Sequence, residues 1–211
     1  MRHDVAWIEG HGQRLGLVPT LGGGVAEWTC RLRGADEHLW RPWDRVSEDR
    51  YRLASFAMLP WSNRISQGGF TQGGRWLPVA VNRLGEPYPI HGDGWLQAWT
   101  LQRPQPQVAE LSLASRHHGG NPWAYDALQR FELADGGLDQ TIRVTHRGET
   151  PMPYGLGLHP WFPRTPGGSV TAQVDGTWLS GADPIPTGHT HALPPDWDLS
   201  RGAPMHGSFI D

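Results

Sequence analysis

Leu138, Gln140, Ile142, Val144 and His146 alternate with Asp139, Thr141, Arg143 and Thr145. A period of two is what a half-buried β-strand requires, because successive side chains point to opposite faces of a sheet. The turn signal Asp135-Gly136-Gly137 precedes this run, so residues 127–133 are expected to supply the other arm of a hairpin. The same pattern predicts a hairpin over residues 69–77 around Gly73-Gly74, a strand over residues 108–116 and another over residues 170–174. Convincing helical periodicity is absent; only residues 48–56 could form two turns, which Pro60 would end. Residues 184–204, rich in proline, glycine and histidine and without alternation, read as a long ordered loop or surface excursion. The pattern as a whole predicts an all-β sandwich whose functional residues sit on loops held by rigid sheets.

Composition narrows this picture. A chain of 211 residues without an internal repeat fits a single domain over residues 1–211. No apolar run approaches the roughly 20 residues that cross a bilayer, so no membrane association is expected. The N-terminus lacks the apolar stretch and cleavage site of a secretory signal, which makes the cytoplasm the expected location. Its 28 glycines and 19 prolines would ordinarily accompany disorder, but 12 tryptophans spread from Trp7 to Trp197 argue for a packed chain. All 18 basic residues are arginines, which excludes Schiff-base chemistry, pyridoxal phosphate attachment and a P-loop lysine. With a net charge of -3 and arginines scattered singly, no nucleic-acid partner is expected, and a small uncharged molecule is the expected ligand. The single cysteine, Cys30, excludes an internal disulfide and reads as a small core residue of a strand.

Three segments place titratable groups beside glycine or proline instead of on an alternating strand. They are Leu59-Pro60-Trp61-Ser62-Asn63-Arg64-Ile65, Ile90-His91-Gly92, and Gly155-Leu156-Gly157-Leu158-His159-Pro160-Trp161-Phe162. A histidine suits proton transfer to a weakly basic oxygen, since its ordinary pKa lets it give and recover a proton near neutral pH. His117-His118 and His189-Thr190-His191 are the other clusters. Without a cysteine pair or an H-E-x-x-H they read as surface histidines, and no metal site is expected.

In order and spacing, PWSNRISQGGF, IHGDGW and GLGLHPWF resemble the aldose 1-epimerase (mutarotase) family, whose members carry PxxNRI followed by GxF, then I-H-G, then G-x-H-P-[YW]-F. The likeness runs from Pro19-Thr20-Leu21-Gly22-Gly23 to Phe209-Ile210-Asp211, and Trp161 resembles a bacterial branch. The resemblance implies a galactose mutarotase-like β-sandwich (supersandwich) with a sugar groove and no cofactor, an isomerase of carbohydrate metabolism acting on a free aldose. It implies that a histidine protonates the ring oxygen while a glutamate removes the anomeric hydroxyl proton, so that the ring opens, the aldehyde turns and the other anomer closes.

Position by position, the resemblance makes His159 the general acid and His91 a hydrogen-bonding partner near the ring oxygen that supports the same proton transfer. It makes Arg64 an anchor for sugar hydroxyls, Asn63 part of the same corner, and Asp211 the aspartate that grips ring hydroxyls. Trp161, beside His159, is expected to line the groove. The family's glutamate falls on no residue of this chain, so the base is expected beyond residue 211 and the sandwich is expected to be incomplete at its C-terminus. Open sheet edges would then need a partner copy, as in a homo-oligomer, or an unusual closure. Asp93 is the substitute carboxylate to consider. A sugar-binding module without turnover is the alternative; glycoside hydrolysis lacks a facing carboxylate pair in motif-like surroundings.

Overall fold

Period-two burial organises the N-terminal part of the chain into two antiparallel sheets. The structure, a computed structural model, describes residues 3–193 and 195–204. These group into two compact units that divide between Pro163 and Arg164. In the first unit, β1 (Ala6–Gly10), β2 (Gln13–Val18), β3 (Gly24–Leu32) and β4 (Ala35–His38) form one sheet in chain order. The short β5 (Ala57–Met58) and the hairpin of β6 (Gly69–Gln72) and β7 (Arg75–Pro78) follow. A second sheet holds β8 (Thr100–Gln105), β9 (Val108–Arg116), β10 (Ala124–Ala134) and β11 (Gly137–His146), each paired to the next. The last strand of the unit, β12 (Gly157–Leu158), pairs with β5.

Along β10, Tyr125, Ala127, Gln129, Phe131 and Leu133 are buried while the residues between them are half-buried, as the alternation demands. Ile8, Leu15, Leu17 and Val25 of the first sheet share one core with Leu111, Tyr125, Phe131 and Leu133 of the second, which makes the unit a sandwich. A fully buried side chain of this size contributes about 1.5 to 3 kcal/mol. Such a core holds the connecting loops at one geometry. The second unit contains β13 (Ser169–Val170) paired with β16 (Ala203–Pro204), and β14 (Thr177–Leu179) paired with β15 (Gly188–Thr190).

Several local expectations are corrected. Residues 48–56 form only a 3-10 turn at Arg50–Arg52, because Ala54 and Ser55 pair with Val25, and the Phe56 carbonyl is taken by the His159 amide. The strand expected over residues 170–174 stops at Val170, since the Ala172 amide bonds the Leu199 carbonyl instead of extending a ladder. Residues 184–204 contain β15, two 3-10 turns at Pro195–Trp197 and Leu199–Arg201, and β16; their turn residues hide this order from any periodicity test. Cys30 is half-buried in β3 and is no core residue.

Candidate active site

Backbone hydrogen bonds bring the three polar segments together within the first unit. The chain after β12 runs alongside the chain before β5, with His159 N–H donating to the Phe56 carbonyl (3.0 Å) and Trp161 N–H to the Ala54 carbonyl (2.9 Å). Gly155 N–H donates to the Pro60 carbonyl (2.9 Å), and Asp93 and Gly94 N–H both reach the Leu59 carbonyl (3.0 Å each). Arg64 bridges Ile90 in antiparallel fashion, and His91 N–H donates to the Asn63 carbonyl at 2.9 Å. A Cβ at Gly92, where φ is +75°, would overlap the Leu59 carbonyl, so this close approach needs glycine.

These connections set His91 and His159 edge to face, with ring centroids 5.1 Å apart. Phe56 stacks on His159 at 5.0 Å and Trp161 stacks on it at 4.2 Å, while Tyr51 packs against both histidines and against Phe56, Trp95 and Trp161. His91 is 8% exposed and His159 half-buried. The Nδ1 of His91 accepts the Asn63 N–H at 3.1 Å, so its neutral ring carries the proton on Nε2. Both Asn63 and His91 take left-handed backbone angles, φ +56° and +59°. For residues other than glycine such angles are costly, and they cluster where function needs a particular geometry.

Charge around the box is balanced in pairs. Arg64 Nε meets Glu86 Oε2 at 3.0 Å with both side chains largely buried, and its NH1 donates to Asn63 Oδ1 at 3.3 Å. Arg83 lies 3.7 Å above the Tyr51 ring and pairs with Asp49 at 3.0 Å. The Arg41 guanidinium sits 4.7 Å over Trp161 and donates to the Tyr51 and Leu53 carbonyls; burial lowers its pKa. Burial also pushes the Tyr51 phenol up to about 12. Its oxygen is buried without a hydrogen-bond partner among the described residues, so Tyr51 stays a protonated donor inside the box.

His91, His159, Asn63, Arg64 and Trp161 therefore share one neighbourhood. Asp93 faces away from that role. It is 1% exposed and accepts from Tyr125 Oη (2.5 Å), Asn121 Nδ2 (3.0 Å) and Gln97 Nε2 (3.2 Å), a structural knot that ties the turn after His91 to β10. As a substitute base it is enclosed. Asp211 lies outside the described residues. Tyr51, Glu86 and Asn82 emerge only from the fold. Each stands in a stretch without motif or alternation, and its signal is a contact with a distant segment.

The antiparallel sandwich is a galactose mutarotase-like fold, with His159 just after β12 and His91 in the loop before the 3-10 turn Gly94–Leu96. Residues 9–209 match the family described as aldose 1-epimerase, and the chain belongs to that family. It is 31% identical over 156 residues to the uncharacterized protein YphB of Escherichia coli K12, covering 74% of this chain and 53% of YphB. It is 26% identical to the uncharacterized protein YihR of the same organism over 69% of this chain and 46% of YihR. The chain thus spans about half the length of these relatives. Among solved structures it is similar to one named as a proposed aldose 1-epimerase from Escherichia coli K12 (26% identity, TM-score 0.86), covering 95% of this chain and 66% of that one. A GalM/aldose epimerase homologue from Caenorhabditis elegans (19% identity, TM-score 0.77, the same coverages) shares the fold.

Proposed function

We propose that the site interconverts the α and β anomers of a free aldose by acid-base ring opening. The observation that carries this reading is the edge-to-face contact of His91 and His159 inside an aromatic box, beside the clamped Asn63-Arg64 corner. His159 donates its proton to the ring oxygen as the bond to the anomeric carbon breaks. The anomeric hydroxyl passes its proton to a water molecule as the carbonyl forms, and water returns a proton to that oxygen when the ring closes. His91, with its proton on Nε2, supports the same oxygen. After the aldehyde turns, the proton returns to His159 and the ring closes on the other face. Arg64 holds hydroxyls, and Trp161 fixes the His159 ring by stacking.

The test is anomer exchange in freshly dissolved glucose, galactose and other aldoses, followed by polarimetry and by NMR. A rate above buffer is expected, and His159→Gln is expected to remove about 10²- to 10⁴-fold of the acceleration while leaving the fold intact, because an amide cannot cycle a proton. No acceleration with any aldose, or an unchanged rate in the variant, would count against the reading. Binding without rapid turnover is the second reading. It is favoured by the carboxylates in the site's own network being committed, Glu86 to Arg64, Asp49 to Arg83 and Asp93 to its three donors. We place the reaction in the cytoplasm, with the sugar as the partner.

A further inference from the structure

The loop after β7 sends one side chain across to the backbone that carries His91. Asn82 uses every hydrogen-bonding group of its carboxamide there: Nδ2 donates to the Ile90 carbonyl (2.8 Å) and to the Gly92 carbonyl (2.7 Å), and Oδ1 accepts the Ile90 N–H (2.8 Å). These contacts bracket His91 on both sides. Trp95 Nε1 adds a second donor to the Gly92 carbonyl at 2.8 Å. Within this stretch His91 takes a φ of +59° and Gly92 one of +75°. A non-glycine residue held there is strained and persists only where surrounding contacts over-determine it. The carboxamide of Asn82 supplies such contacts.

The backbone bracket has a consequence at the ring. With His91 in this conformation its amide meets the Asn63 carbonyl (2.9 Å) and its Nδ1 meets the Asn63 amide (3.1 Å). Both atoms of Asn63 belong to the segment that also carries Arg64. If the backbone at His91 relaxed to a right-handed or extended angle, the ring would swing off Nδ1's donor, and nothing in this contact would then select Nε2 as the protonated nitrogen.

We propose that Asn82 is a positioning residue, which sets the backbone at His91 so that the imidazole holds its proton on Nε2 and presents that nitrogen for hydrogen bonding. The kinetic consequence rests on the mutarotase reading above; the tautomer consequence rests on geometry alone. Asn82 acts through His91.

The experiment uses the full chain with 15N-labelled histidine, recorded above neutral pH where an ordinary imidazole is uncharged, with a His91→Gln variant to assign the resonances. Wild-type His91 is expected to give the signature of a single neutral tautomer protonated on Nε2. Asn82→Ala and Asn82→Asp are expected to give a shifted or averaged signature. The aspartate keeps an acceptor for Ile90 N–H but sets a carboxylate oxygen against two carbonyls. In parallel, kcat for anomer exchange is expected to fall by about 10- to 100-fold in both variants with KM changed far less, as misplacement of a donor by about 1 Å does. A merely structural role would lower Tm and leave the His91 signature unchanged.

The proposal is overturned if wild-type His91 carries its proton on Nδ1, a result that needs no variant to fold. It is also overturned if both variants keep the wild-type signature and kcat. Absence of anomer exchange in the wild type, with the His91 signature changed in the variants, removes the mutarotase reading and upholds the positioning role.

Discussion

Arg64 shows how a residue's local motif and its tertiary partner divide the work. The NRI motif places it beside Asn63, but its orientation comes from Glu86, whose carboxylate holds Nε. A guanidinium presents five N–H donors in a planar fork suited to oxygen acceptors such as sugar hydroxyls. Arg64→Ala is expected to weaken sugar affinity more than it slows the bound reaction, because such a group binds ground and transition states alike. The saturation curve of anomer exchange against sugar concentration separates the two effects, and a pure rate effect at constant affinity would contradict the assignment. The same variant strands Glu86 in a largely buried position, so a loss of about 1–2 kcal/mol in unfolding free energy is expected as well.

At the scale of elements, the 3-10 turn Gly94–Leu96 is anchored to the second sheet through Asp93, which accepts from Tyr125 of β10, Asn121 and Gln97; Gln97 also reaches Ser115 of β9. Burial pushes the Asp93 carboxyl above its ordinary value, although these donors and nearby His118 oppose the shift. An unperturbed aspartate titrates near about 3.9. Between that value and the raised one, the folded chain holds a proton that the unfolded chain has released. Asp93 therefore contributes stability that is fully present below about pH 3.9 and is lost as pH rises through its folded value. In urea unfolding, the wild-type stability measured against that of Asp93→Asn is expected to decline as pH is raised from about 4. A difference that stays flat would mean that the three donors hold Asp93 ionised in the fold.

For the whole molecule, Glu86, Asp49 and Asp93 near the histidine pair are engaged by other partners, and the base that the family resemblance implies falls on none of the described residues. Residues 1–211 are accordingly expected to bind an aldose while turning it over about 10² to 10⁴ times more slowly than a relative that supplies a positioned glutamate, the usual contribution of a general base. NMR exchange rates compared with affinities from titration, for this chain and for an aldose 1-epimerase of measured activity, check this. Equal rates would mean that a carboxylate of this chain serves as base, with Glu86 the first to replace by glutamine.

Much of this organisation was legible in the residues themselves. Alternation in β9, β10 and β11 is a property of each strand alone, since one face of a sheet must be apolar to meet the core. The three motifs were legible for a similar reason: histidine, arginine and asparagine beside glycine and proline mark positions where the chain leaves the ladder. Residues 48–56 misled because their amides and carbonyls are claimed by Val25 and His159, far along the chain. The sequence by itself determined the sandwich, the family and which histidines to test. Only the tertiary structure decided that Asn82 brackets His91, that Glu86 orients Arg64 and that Asp93 is enclosed. A hydrogen bond between loops depends on where the folded sheets bring those loops together, and no local pattern of side chains records that meeting.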